Sequence, residues 1–187
     1  MSGLPDLAEQ NKKEDIVRLL QQGADVNEKD SDGRTALYCA CLNIYTEITE
    51  ILLQNNKIHV NLQSNNGSSP FYTACWNNRY ECALIMLKDA RVDINLTDYW
   101  GWSPLMWACY SGNTKTVKLL LSFGRNIDIL KKSTEDDYSG IKSGSTALDV
   151  AKQRNKTAVV QLLEQYQNNP KEIQKLWRNQ LNLKGKI

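Results

Sequence analysis

The chain is short of the side chains from which metal and redox sites are built. It has one histidine, His59, and five cysteines with no Cys-x-x-Cys pair. That excludes a zinc site of the usual spacing and a disulfide framework. It also lacks an excess of charge of either sign: 23 basic against 21 acidic residues leave a net charge of +2, a balance that argues against a dedicated nucleic-acid or membrane-surface binder. No apolar run approaches a membrane span, and the opening MSGLPDLAEQ has no apolar segment of the kind a secretory signal carries. The expectation is a cytoplasmic or nuclear protein. A Gly-rich phosphate loop, a metal-ligand cluster and a nucleophile placed beside a histidine are all missing. The residues therefore supply no catalytic group, no metal ligand and no cofactor site, and binding is the remaining class of activity.

What the chain does have is an internal period. Thr97 to Gly124, TDYWGWSPLMWACYSGNTKTVKLLLSFG, reads as a turn, a short helix opened by Ser103-Pro104, a break at Ser111-Gly112-Asn113, and a second helix from Thr114 that stops at Gly124. Proline suits the first helical turn, where its missing N–H has no intrahelical partner, and glycine takes the positive φ that ends a helix. The unit recurs. Gly33, Gly67, Gly101 and Gly144 are each followed by an alanine at the same offset, Ala40, Ala74, Ala108 and Ala151. A paired apolar step closes each second helix at Leu52-Leu53, Met86-Leu87, Leu120-Leu121 and Leu162-Leu163. Spacings of 34, 34 and 43 residues between those glycines predict stacked copies of one supersecondary unit, none of which could stand alone.

Thr35-Ala36-Leu37, Ser69-Pro70-Phe71, Ser103-Pro104-Leu105 and Thr146-Ala147-Leu148 after the turn glycine, the small residues and Leu pair that follow, and Gly23-Ala24-Asp25-Val26-Asn27 in the first unit together resemble the ankyrin repeat. The resemblance spans about residues 4 to 166. It implies an all-α fold, an ankyrin-repeat α-solenoid of about five stacked helix pairs with β-turn fingers along one edge. An extra C-terminal capping helix follows from the residues themselves. One departure is consistent: the histidine usual in the family after the leucine is replaced by Tyr38, Tyr72, Met106 and Asp149.

The expected single domain, 1–187, divides into an N-terminal capping repeat at 4–29, repeats at 30–63, 64–97 and 98–140, a C-terminal repeat at 141–167, and a C-terminal helix at 168–187. The repeat at 98–140 carries an extended loop, Leu130 to Gly140, readable either as a mobile segment or as part of a binding surface. In the last element Ile173, Leu176, Trp177 and Leu181 form an apolar stripe, expected to close the end of the stack rather than to dock a partner. Cys41, Cys75 and Cys109 recur in register after the repeat alanine and read as small packing groups. His59 falls in a loop facing solvent.

Four of the five tryptophans, Trp76, Trp100, Trp102 and Trp107, lie in the second and third full repeats with Tyr72, Tyr99 and Tyr110 around them. Large aromatics anchor interfaces because they bury much area for little rotamer entropy. The resemblance implies binding of another protein through the fingers and the concave groove. Carried over by position, it picks Ser31, Asp32, Arg34, Leu42 and Asn43, then Asn65, Asn66, Ser68, Trp76 and Asn77, then Tyr99, Trp100, Trp102, Tyr110 and Ser111. Trp100 and Trp102 flank Gly101 on a finger and are expected to be exposed there. Trp107 is expected to be partly core, and Tyr72 and Met106 to pack between repeats. The expected partner is another protein, with no membrane and no nucleic acid, and the chain is expected to be a monomer without a cofactor. A second reading makes Trp76, Trp100, Trp102 and Asp98 an aromatic receptor for a methylated lysine or a nucleotide. Finally, Asn27, Asn61 and Asn95 close the Val-Asn or Ile-Asn step of their repeats, which resembles the context an asparaginyl hydroxylase modifies. The plainer expectation is that each satisfies turn backbone with its side chain.

Overall fold

Each unit folds as a short helix, a reversal and a slightly longer helix, and in the four full repeats the start of the short one is set by a hydroxyl. Thr35, Ser69, Ser103 and Thr146 are extended in backbone, and each side-chain oxygen accepts the N–H three residues on, from Tyr38, Tyr72, Met106 and Asp149 at 3.2 to 3.3 Å. That satisfies one of the donors a helix start leaves open. In a computed structural model, residues 2–136 and 140–183 are described; Asp137, Tyr138 and Ser139 of the loop and residues 184–187 of the last element lie outside the described residues.

Among the described residues the inner helices are α1 (Leu4–Glu9), α3 (Ala36–Leu42), α5 (Pro70–Trp76), α7 (Pro104–Ser111) and α9 (Ala147–Gln153). The outer ones are α2 (Lys13–Gln21), α4 (Thr46–Gln54), α6 (Tyr80–Lys88), α8 (Thr114–Ser122) and α10 (Thr157–Asn168), and α11 (Pro170–Gln180) ends the series. The reversal within each pair needs one residue in the left-handed region: Asn11, Ile44, Asn78, Gly112 and Asn155 occupy it, with φ between 55° and 79° for that set. Asparagine and glycine take this conformation readily, whereas a β-branched residue such as Ile44 is strained there.

Neighbouring inner helices touch along their length, while neighbouring outer helices touch much less. The stack is therefore wedge-shaped in each step, and it curves toward the inner layer. The molecule is an all-α repeat solenoid. Its core runs continuously between the layers, from Leu4, Ala8 and Ile16 through Leu37, Phe71, Leu105 and Val150. All five cysteines are free and buried within it. Burial pushes the Cys39 thiol up to about 12 and raises those of Cys75 and Cys109 as well, so these groups remain neutral and pack as small apolar side chains.

Polar side chains join one unit to the next at the helix ends, where carbonyls have no intrahelical partner. Arg79 Nε donates to the Leu42 carbonyl at 2.8 Å, and Asn113 Nδ2 donates to those of Cys75 and Trp76 at 3.0 and 2.9 Å. On the outer layer Arg91 reaches the Leu53 carbonyl at 2.7 Å. α11 does the same for α8: Arg178 Nε donates to the Ser122 carbonyl at 2.6 Å and Gln174 Nε2 to that of Leu121 at 3.1 Å.

The apolar stripe of α11 packs against α8 and α10 on the outer side of the stack, with Ile173 and Leu181 half-buried. Trp177 is the buried anchor, stacked on Tyr166 at 6.4 Å with an interplanar angle of 17°. Leu176 does not join it and stays exposed.

Candidate functional site

The fingers and the inner helices each present one register of side chains per repeat, so equivalent positions can be compared directly. In the first and third full repeats the finger opens on an aspartate. Asp30 Oδ1 accepts the N–H groups of Asp32 and Arg34 at 2.9 and 2.8 Å. Asp98 Oδ1 accepts those of Trp100 and Trp102 at 3.0 and 2.9 Å. The second oxygen differs between the two. In Asp30 it meets Arg34 Nε at 2.7 Å; in Asp98 it accepts the indole N–H of Trp107 at 2.8 Å.

That difference decides the electrostatics. Burial opposes ionisation of both carboxyls. At Asp30 the main-chain and guanidinium hydrogen bonds from Arg34, with the charge of that arginine, outweigh it, and the pKa lies below the usual aspartate value. At Asp98, only 4% exposed, burial prevails over hydrogen bonds from the Trp102 main chain, the Trp107 indole, the Trp100 main chain and the Tyr72 hydroxyl, and the pKa is raised. Burial, and then the charge of Asp98, raises the Tyr72 hydroxyl in turn.

Trp107 is the hub of the aromatic cluster. Its ring centroid lies 5.6 Å from Tyr72, 4.9 Å from Trp76, 4.7 Å from Trp102 and 5.3 Å from Tyr110. At the equivalent position the other repeats carry Cys39, Thr73 and Val150, all buried. The third repeat places there a side chain too large for the core, and it spills onto the groove half-buried. Trp76 at the end of α5 leans against it and is 37% exposed, with Tyr110 half-buried on the far side.

The structure corrects two expectations about exposure. Trp102 is wholly buried, 0% exposed, and Ser68 is buried too. The residue after the finger glycine faces the body of the repeat: Arg34, Ser68, Trp102 and Ser145 share this position, and none is exposed. Trp102 is covered by Trp107 and by Tyr110, the latter at 5.7 Å. The finger tips do reach solvent at Ser31, Asp32, Asn65, Asn66 and Tyr99, the last 62% exposed, while Trp100 is half-buried. Gly67 lets Tyr99 lie across it, since a Cβ there would come within 2.7 Å of the Tyr99 main-chain nitrogen.

On the inner layer Leu42, Asn43, Asn77, Tyr110 and Ser111 are all half-buried. The Asn43 and Asn77 amides donate to their own helix, to Cys39 and Thr73 carbonyls at 3.0 Å. Tyr72 and Met106 are buried between repeats, as expected, whereas Asp149 is exposed and closes a capping box with Thr146. Trp76, Trp100, Trp102 and Asp98 do not form an open cage: Trp102 is internal, and the Asp98 carboxylate is committed to three N–H groups.

Arg154, which the sequence reading passed over, belongs to this surface. It follows Asn43, Asn77 and Ser111 in register, and its guanidinium lies 4.4 Å from the Tyr110 ring centroid. The longer last spacing hid the equivalence, although the position itself could have been found by counting forward from Gly144.

The three asparagines form a ladder. Asn27, Asn61 and Asn95 each donate to a carbonyl of the next unit, those of Lys57, Arg91 and Asn126, at 2.8 to 2.9 Å. Each amide oxygen accepts an N–H two residues further on, from His59, Asp93 and Asp128, at 2.8 to 2.9 Å. His59 itself is exposed. The base of the long loop is tied down as well. Thr134 N–H donates to the Trp100 carbonyl at 3.0 Å, and Asp136 accepts from Lys142 Nζ and the Ser143 N–H, each at 2.8 Å.

No helix among the described residues is long and apolar enough to cross a membrane. No curated protein matches the chain. The family model for ankyrin repeats (3 copies) matches residues 6–98 and 86–173, so that its two matches together run through every inner helix from α3 to α9. The chain belongs to the ankyrin-repeat family.

Proposed function

We propose that this protein is a non-catalytic module that binds another protein along the concave groove and finger tips of its full repeats, centred on Trp76, Trp107 and Tyr110. Ankyrin repeats are generally protein–protein interaction modules. The observation that carries the reading is the aromatic floor. α3, α5 and α7 contain no charged residue, and at their centre a large ring is held half-open where the other repeats bury a small side chain. Such a surface is desolvated cheaply and buries a partner side chain well. Tyr99 and the half-buried Trp100 extend it along the fingers, with Arg34, Leu42, Asn43, Asn66 and Asn77 as its polar and apolar rim. Ser68 and Trp102 support the surface from behind.

Peptide-display selection against the whole chain supplies ligands for the test. Trp76→Ala is expected to weaken the selected peptides about tenfold or more while leaving thermal unfolding nearly unchanged. Equal affinity for the variant and the wild type would contradict the groove assignment. The receptor reading is separated by titrating tryptophan fluorescence with methyl-lysine peptides and nucleotides, for which no response is expected. As for Asn27, Asn61 and Asn95, the ladder favours a backbone role. Intact mass after co-expression with an asparaginyl hydroxylase would reveal modification as a gain of oxygen, and no gain is expected under native conditions.

A further inference from the structure

The groove has an electrical order. Between its ends the inner helices α3, α5 and α7 are uncharged. At one end α1 presents Asp6 and Glu9, both exposed. At the other, α9 carries Lys152 and ends on Arg154, whereas Lys156 does not distinguish the ends, because exposed Lys12 stands at its place in the first turn. Neighbouring charges do not erase this pattern. Arg34 stands 3.6 Å from Glu9, but its nearest partner is Asp30 at 2.7 Å and it also faces Asp32 at 3.5 Å, one cation among three carboxylates. Lys152 is paired with Glu164 at 3.2 Å, and Asp149 is occupied by its capping box.

Arg154 differs from both. Among the described residues no carboxylate lies within ion-pair distance of it, and its guanidinium rests on the Tyr110 ring, the edge of the aromatic floor. An arginine held flat on an aromatic face keeps its N–H fork free for a carboxylate and has lost part of its rotamer freedom already. In register with Asn43, Asn77 and Ser111, it is the one cation in that row.

We propose that the groove is read by an extended segment of a partner protein in which an apolar side chain seats on Trp76 and Trp107, a carboxylate pairs with Arg154, and a basic residue lies toward Asp6 and Glu9. This rests on the groove reading above. Packed helices sit about 8–10 Å apart, and an extended chain advances about 3.3 Å per residue. The carboxylate therefore falls about two to three residues from the apolar anchor, on the α9 side. Counted from the same ring on α7, α1 lies three helix steps away on the other side, so the basic residue falls about seven to nine residues from the anchor.

The test uses the same display selection on the whole chain, repeated with Arg154→Glu and Trp76→Ala. Selected peptides are expected to carry Asp or Glu two or three positions from an apolar residue. Arg154→Glu is expected to weaken them about tenfold and to regain binding when that acid is changed to lysine. Melting temperature should be unchanged, since Arg154 is exposed. Peptides without an acidic preference, or bound equally by Arg154→Glu, overturn the proposal. If such peptides are still lost on Trp76→Ala, the groove reading survives and only the charge order fails. Peptides insensitive to both substitutions overturn the groove reading and this inference with it.

Discussion

The first and third full repeats share a backbone and solve the same corner of it with opposite chemistry. Position by position, Asp30, Arg34, Cys39 and Ile44 in one stand where Asp98, Trp102, Trp107 and Gly112 stand in the other. In the first, the aspartate meets a guanidinium, the finger stays wet, and a small thiol completes the core. In the third, the aspartate meets an indole, a second indole plugs the space behind the finger, and the displaced aromatic surface opens onto the groove. The lesson is that one turn geometry tolerates either an ion pair or an aromatic pair, and the choice decides whether the repeat has spare apolar surface to offer. Apolar groove surface in this fold can thus come from overfilling a repeat rather than from adding a loop.

The sharpest way to break the comparison is to empty the aromatic side. Trp102→Ala removes a fully buried ring and is expected to cost about 3–5 kcal/mol in denaturant-induced unfolding. Arg34→Ala at the equivalent place is expected to cost no more than about 1 kcal/mol. Trp102→Phe, which keeps ring contact and removes an indole N–H that is buried without a hydrogen-bond partner, should fall well short of the alanine variant. Similar losses at Arg34 and Trp102 would mean the two corners are not chemically distinct.

Next in size is the carboxylate. Asp98→Asn keeps an oxygen for the finger N–H groups but turns an amide N–H toward the Trp107 indole N–H, leaving a buried donor unsatisfied at a cost of about 1–3 kcal/mol. The same substitution at Asp30 leaves Arg34 still facing Glu9 and Asp32, so its charge is not stranded, and it is expected to cost less. The two acids should also titrate on opposite sides of the ordinary aspartate value of about 3.9. Asp30, with its pKa lowered, contributes stability above its unfolded-state pKa and loses it as pH falls through the folded one. Asp98, with its pKa raised, behaves in the reverse sense: its penalty is fully present above the folded pKa and is relieved as pH falls toward the unfolded value. Carboxyl titration by NMR checks the order.

The smallest expected effect is a gain. Ile44 holds a φ of 64° where the third repeat has Gly112 and others have Asn78 and Asn155. Ile44→Asn is expected to stabilise the chain by about 1 kcal/mol, read as a higher melting temperature. No gain would show that the strain is absorbed elsewhere.

Much of this fold was legible in the residues, because its punctuation is chemical. Glycines that need positive φ and hydroxyls that cap mark the same places in each full repeat, Pro70 and Pro104 open α5 and α7, and α7 and α8 end where Ser111 and Gly124 said they would. Burial was less legible. Trp102 flanks a finger glycine and reads as exposed until one knows that Trp107 has left the core position held elsewhere by Cys39, Thr73 and Val150. A tryptophan's surroundings depend on which neighbouring rings need covering, and no local pattern encodes that. Arg154 was obscured for a different reason: the nine extra residues implied by spacings of 34 and 43 break the count that identified Asn43, Asn77 and Ser111. For α11 the apolar stripe was plain, but its seat across α8 and α10 depends on carbonyls that only the folded stack brings within reach of Gln174 and Arg178.

The central claim is that the third repeat divides its tryptophans between scaffold and surface, and indole N–H resonances test it most directly. In a titration of the ¹⁵N-labelled chain with a display-selected peptide, the Trp76 signal is expected to shift most, with Trp107 following. Trp102 and Trp177 should stay in place. Movement of Trp102 with Trp76 unperturbed would contradict the account.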